Sequence, residues 1–312
     1  MHAAANNLRG GVSPRSTRLR GQSIIEYVLI IAVIGLVIVF AGPGVAGAIR
    51  NQFNQVANTV DAGTEGDNFI SAEEKAYREA MKTITAKEAK DWTLDEQKAA
   101  ATDIAKNGTS SVVYAKAKAA MDAGTKWSAK FTDGRTIAYR IIGINHDDLA
   151  DGSGKAGLTF LMTYPYDKAS MNATNTNIGG WEKSEIRKSL NSGEFYASLP
   201  SEISSRIKPV TKMTDNKGGG NAGSPSVTTD KVFLLSSTEV WGNLDEDGSQ
   251  YEYYKSKGVT TSSCSAAMIF NNYWTRSVKP DSSTEFRLVY STGSPIYGRA
   301  NAAQELHPAF CF

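Results

Sequence analysis

Hydrophobic and polar positions divide the chain into three textures. From Tyr27 to Ile49 the residues are apolar or small and none is charged. A run of that length suits a membrane-spanning element. Beyond Arg50 the pattern turns polar and alanine-rich, and Phe53, Val56 and Val60 recur at helical spacing. Gly63-Thr64-Glu65-Gly66 breaks that element. Ser71-x-x-Glu74 and Thr93-x-x-Glu96 are capping-box patterns, each opening an Ala/Lys/Glu-rich helix, and Asn107-Gly108 and Gly124 are stop signals.

From Trp127 the period shortens to that of strands. "WSAKFTDGRTIAYRIIGINHDD" places an Asp133-Gly134 turn between alternating runs, which predicts a hairpin. "LTFLMTY" and "KVFLLSS" read as core strands. Trp181, Ile186 and Leu190 share one helical face, and Ile203 and Ile207 mark a second short helix. "DNKGGGNAGSPSVTTD" reads as a flexible loop, and the C-terminal stretch as short strands joined by Gly/Ser/Pro turns. The fold class expected is therefore α+β. A long N-terminal apolar helix (22–60) follows a leader (1–21), then comes a helical spacer (61–126), then a mixed α+β domain (127–312). The spacer reads as ordinary small helices packed on the next domain, with a stalk that lifts that domain off a membrane or filament as the alternative.

Charge changes the picture at the N-terminus. The formal net charge is +2, while the segment before Gly21 holds Arg9, Arg15, Arg18 and Arg20 and no acid. The remainder is slightly acidic, so nucleic acid is not an expected partner. Arginines ahead of an apolar run read as an export signal, with residues 23–49 entering the membrane. Glu26 fits neither a plain anchor nor a cleaved signal, because a carboxylate entering hydrocarbon costs several kcal/mol unless paired. An amine freed by cutting after Gly21 would supply the partner, with Gln22 as the new N-terminus. Such a pair adds little stability but penalises wrong registers. Gly42-Pro43-Gly44 interrupts the run and predicts a kink or break.

Gly21 followed by Gln22-Ser23-Ile24-Ile25-Glu26-Tyr27 and an Ile/Val/Leu run resembles a class III, type IV prepilin-like signal. The Glu26-Tyr27 pair is similar to the Flp pilins of tight-adherence systems. That resemblance implies cleavage at Gly21/Gln22 by a prepilin peptidase, and assembly with other pilin subunits through Glu26 and Tyr27. It implies passage from the cytoplasmic membrane to a cell-surface filament. The chain is far longer than a small Flp pilin, which suggests a minor, tip-like or large subunit.

The C-terminal segments also resemble a bacterial surface domain of uncharacterised function. The matching pieces are Trp181-x-x-Ser184-x-Ile186-Arg187-x-x-Leu190-Asn191, Asp230 to Ser236, Trp274-Thr275-Arg276-Ser277 and His307-Pro308-Ala309-Phe310. Thr275 and His307 stand where that domain usually has Leu and Arg. The layout is similar to the C-type-lectin-like and formylglycine-generating-enzyme fold.

No catalytic constellation, cofactor motif or metal-ligand spacing emerges. Asp245-Glu246-Asp247-Gly248 and the acids near His146 read as solvated turns rather than calcium loops. A binding protein rather than an enzyme is expected, displaying adhesion or ligand-binding residues among Tyr253, Trp274, Arg276, Tyr297 and Arg299 for an extracellular carbohydrate or protein. Trp274 and Arg276 also read as core. Cys264 and Cys311 are expected to pair in a disulfide in an exported protein. The rival readings are an anchored exported protein outside any filament, and a secreted formylglycine-generating-like enzyme with reactive thiols.

Overall fold

The computed structural model describes residues 71–312 except 166 and 222. Gly21, Gln22, Glu26 and Tyr27, and the apolar run that follows them, lie outside the described residues.

The helical region opens with α1 (Ala72–Ala86), capped by Ser71 Oγ accepting from the Glu74 amide. Next is α2 (Leu94–Asn107), where Thr93 and Glu96 form the expected reciprocal box, a cap worth about 1 kcal/mol. Gly108 ends it, and α3 (Tyr114–Ala123) stops at Gly124 in the left-handed region. The predicted hairpin follows as β1 (Trp127–Lys130) and β2 (Thr136–Ile144), with Trp127 opposite Tyr139. Then come β3 (Leu158–Met162) and the short β4 (Lys168–Ala169). The helical block is α4 (Glu185–Ser192), α5 (Glu194–Ser198) and α6 (Ser201–Ser204), and it buries Ile186, Leu190, Phe195 and Ile203. Trp181 is buried just ahead of it.

The stretch expected to be a loop, 215–230, ends in a strand over its last five residues. β5 (Val210–Thr214) pairs antiparallel with β6 (Ser226–Asp230). Asp215 accepts from the Lys217 and Gly223 amides and organises the connection. The remaining elements are β7 (Val232–Phe233), α7 (Ser237–Trp241), α8 (Glu252–Ser256), β8 (Tyr273–Val278), β9 (Glu285–Val289), β10 (Pro295–Arg299), β11 (Gln304–Glu305) and β12 (Ala309–Cys311). One sheet has the order β1-β2-β3-β12-β7, a second β10-β9-β8-β11-β4, and β5-β6 stand as a pair.

The expected sequence of long apolar helix, helical spacer and α+β domain is corrected here. Among the described residues, no helix is long and apolar enough to cross a membrane. Those residues form a mixed α/β fold with several sheets, in which helices and strands interleave, in place of the C-type-lectin-like layout. Helices α1 to α3 are not a stalk. Met81, Ile84, Ile104, Ala117 and Met121 belong to the same buried cluster as Tyr139, Phe160 and Phe310. Tyr139 Oη donates to Gln97 Oε1 at 3.1 Å, and the Trp127 indole donates to the Ala89 carbonyl at 3.1 Å. Gly157 marks the closest approach, since a Cβ there would stand 1.8 Å from the Ala101 carbonyl oxygen of α2. The physical reason is economy of apolar surface. The buried faces of these alanine-rich helices are narrow, and they bury them on the first sheet instead of leaving them in water.

Candidate functional site

Two arrangements of charged and aromatic side chains stand out, one sealed and one open. The sealed one begins with local chemistry. Ser236-x-x-Glu239 is a capping box opening α7, with Ser236 Oγ accepting from the Glu239 amide and Glu239 Oε2 accepting from the Ser236 amide. The box turns the Glu239 carboxylate inward. Arg276 on β8 meets it in a two-pronged pair, Nη1 to Oε2 at 2.5 Å and Nη2 to Oε1 at 2.8 Å. Lys212 on β5 places Nζ 2.5 Å from Glu239 Oε1 and 2.6 Å from Asp147 Oδ1. Asp147 also accepts from Tyr251 Oη, at 3.0 Å to each oxygen, and from Thr159 Oγ1 at 2.5 Å. Each of the four charged side chains is 3% exposed or less, so partners within the protein, and not water, balance these charges.

Burial pushes the Glu239 carboxyl up, but Arg276 and Lys212 outweigh it and hold it below its ordinary range. Asp147 behaves alike. Burial works against its charge, Lys212 and His146 prevail, and it stays ionised far into acid. Burial pulls Lys212 down, and the two carboxylates overcome this and raise it. Cys311 lies beside Asp147, and burial pushes its thiol well above its usual value.

The open arrangement is the outward face of β9 and β10. Tyr297 faces Arg287 across the strands, and Arg299 faces Glu285. Gly298, between Tyr297 and Arg299, turns inward, where a Cβ would stand 2.8 Å from Leu288 and 3.1 Å from Trp274. That contact orients its two neighbours outward. The Tyr297 ring is 37% exposed, with Arg287 Cζ 4.5 Å and Lys279 Nζ 4.9 Å from its centroid. Arg287 is held by Asp245 at 2.8 and 2.9 Å, and Lys279 by Glu285 at 3.1 Å. Arg299 is exposed.

A loop joins the two arrangements. Asp247 is buried and accepts from the Thr238 amide, while Arg276 Nη2 donates to its carbonyl at 3.2 Å. Glu246 protrudes with φ of 54°, a conformation uncommon outside glycine. On one side lies a cleft of about 530 Å³ lined by Asp215, Asp245, Ser277 and Pro280. On the other is one of about 870 Å³ lined by Trp241, Gln250, Lys255 and Thr260. Among the described residues, no group of His, Cys, Asp and Glu is placed to hold a metal ion.

Of the residues expected to bind ligand, Tyr297 and Arg299 come together at the surface. The other three are corrected to core roles. Arg276 is fully buried at the centre of the sealed cluster, and Trp274 donates to the Ala169 carbonyl at 2.8 Å. Tyr253 lies under Arg140, whose Cζ is 3.9 Å from its centroid. Trp274 and Arg276 are inside because α7 packs on β8, and Tyr253 because α8 packs on β2 and α3. The expected disulfide is also corrected. Cys264 and Cys311 are free, Cys264 beside Ser294 Oγ at 3.4 Å and Cys311 beside Thr159 Oγ1 at 3.4 Å. Each thiol has neighbours of its own.

Lys212 and Glu239 escaped the reading of the sequence, and Asp147, expected in a solvated acidic turn, is buried. The Ser236-x-x-Glu239 box was a legible signal for one. Strict alternation through Val210, Lys212 and Thr214 pointed Lys212 inward, against the rule that lysine stays outside.

The family described as "Domain of unknown function (DUF6273)" matches residues 156–312. No curated protein and no solved structure matches the chain.

Proposed function

We propose a function for this protein, which belongs to the DUF6273 family, from its own residues: it is a surface-displayed binding protein carried on a pilin-like N-terminus. The observation that carries the binding role is the Tyr297–Arg299 face. An aromatic ring stands partly open to solvent on the edge strand β10, framed by Arg287 and Lys279. Recognition of sugars and polar protein surfaces uses such a ring as a platform, with cations fixing orientation. A carbohydrate or protein ligand outside the cell fits this chemistry.

The segment Gly21 to Tyr27 supports the manner of display. Cut after Gly21 by a prepilin peptidase, the chain joins a type IV or tight-adherence-type filament through its apolar segment, 23–49, with Glu26 as the registering charge. It passes from the cytoplasmic membrane to the cell surface. Mass spectrometry of the first peptide of surface-recovered protein tests this. A start at Gln22 supports it, and an intact Met1 or a start beyond Ala48 overturns it. Glu26→Ala should spare export and impair filament incorporation. Binding is tested separately by screening the protein on glycan and protein arrays. Retention of all binding by Tyr297→Ala with Arg299→Ala would remove the proposed face.

A further inference from the structure

The sealed cluster has the parts of a condensation site. Lys212 Nζ lies 2.6 Å from Asp147 Oδ1, and the two side chains are only 3% and 2% exposed. The rings of Phe233 and Tyr251 enclose the amine, at 4.3 and 5.3 Å from Nζ to their centroids. A second carboxylate, Glu239, touches the same nitrogen at 2.5 Å. Tyr251 Oη and Thr159 Oγ1 donate to the Asp147 carboxyl. Amide formation between an amine and a carboxylic acid is slow in water for two reasons. The groups meet as separated ions, and the expelled water is at high concentration. Fixing them in contact puts the ammonium proton within reach of the carboxylate, and burial keeps bulk water from reversing the reaction.

We propose that Lys212 and Asp147 become joined by an intramolecular amide bond, made by the folded protein itself. In the resting ion pair the Lys212 ammonium passes one proton to the Asp147 carboxylate, giving a neutral amine and a carboxylic acid. The two carboxylates that keep Lys212 charged are also the groups close enough to take its proton. The amine attacks Asp147 Cγ, and the C–N bond forms. Tyr251 Oη donates to the oxygen that gains charge. Glu239 Oε1 accepts the second nitrogen proton and returns it to the departing hydroxyl. The Cγ–O bond breaks and one water leaves. No oxidant, reductant or activated group is needed, and the charge lost from each partner cancels.

Charge accounting also selects the acceptor. Condensation with Glu239 would leave Arg276, fully buried, without its carboxylate, and an uncompensated buried guanidinium is strongly disfavoured. Condensation with Asp147 leaves the Glu239–Arg276 pair intact. The link would tie β5 to the segment after β2 across 65 positions of chain, a covalent staple in a domain whose two cysteines are unpaired.

The test is mass spectrometry of the full chain, folded, purified and then denatured with reductant. The wild-type protein should be lighter by the mass of one water, measured against Lys212→Arg corrected for its substitution. Digestion should yield a branched peptide in which Lys212 is joined to Asp147. An unreduced wild-type mass with a linear Lys212 peptide overturns the proposal. A branch to Glu239 instead overturns the assignment. The wild-type result does not depend on any variant folding. Where Glu239→Gln folds, loss of the branch identifies Glu239 as the proton carrier, and an undiminished branch removes that role.

Discussion

The sealed cluster around Glu239 and the open face around Tyr297 are built from the same parts: arginine, lysine, carboxylates and a tyrosine ring. They differ in what the charges can reach. In the cluster, Lys212, Asp147, Glu239 and Arg276 are all within 3% of full burial. Each charge there is tolerated only because another stands within hydrogen-bond distance. On β9 and β10, Arg287 and Lys279 are paired as well, but Tyr297 and Arg299 remain in contact with solvent. The comparison teaches that pairing alone does not mark a structural site. Access to water decides whether a charge supports the fold or meets a ligand.

The largest effect should come from breaking the inner pair. Glu239→Ala leaves Arg276 and Lys212 facing each other in the core, and should cost about 3–5 kcal/mol or prevent folding. Denaturant unfolding measures it. A loss under about 1 kcal/mol would mean that water reaches the cluster.

Acid should act next on the same region. The folded carboxyl of Glu239 is held below its ordinary value of 4.5, so its contribution is full above that pH. It declines as pH falls through the lower folded value. Thermal unfolding followed from neutral pH downward should therefore show a steepening loss below about pH 4. A flat profile there would contradict the ionised cluster.

At the open face the effect should be on binding alone. Tyr297→Ala should weaken ligand capture about tenfold, or about 1.4 kcal/mol, and change stability by less than about 0.5 kcal/mol. Titration and unfolding of the same preparation separate the two readouts. A large stability loss would make Tyr297 a structural residue after all.

The smallest effect concerns the thiols. Cys264 is partly accessible and Cys311 buried. A thiol reagent should label Cys264 in the native protein and Cys311 only after unfolding, and Cys264→Ser should be neutral within about 0.5 kcal/mol. Absence of any labelling after unfolding without reductant would restore the disulfide.

Elements whose hydrogen bonds close within a few residues were legible from the sequence. Thr93 and Glu96 satisfy each other's amides, and Asp133-Gly134 turns the chain into a hairpin, whatever lies around them. The helix carrying Ile186 and Leu190 was likewise visible as an apolar face. Tyr297 and Arg299 read as residues of a Gly/Ser turn, and the structure instead sets them two apart on one face of β10. What only the tertiary structure decided is which side of each face is covered. Arg276, Trp274 and Tyr253 carry the same chemistry as Tyr297 and Arg299, yet segments far away in the chain enclose them. Lys212 meets Asp147 from 65 positions away, and Arg276 meets Glu239 from 37. The stalk or packed-helix choice was settled in the same way, by Gln97 reaching Tyr139 and by Gly157 admitting the backbone of α2. Local pattern sets propensity and direction. Burial is a property of the assembled surfaces, and a buried charge is acceptable only once its distant partner has arrived.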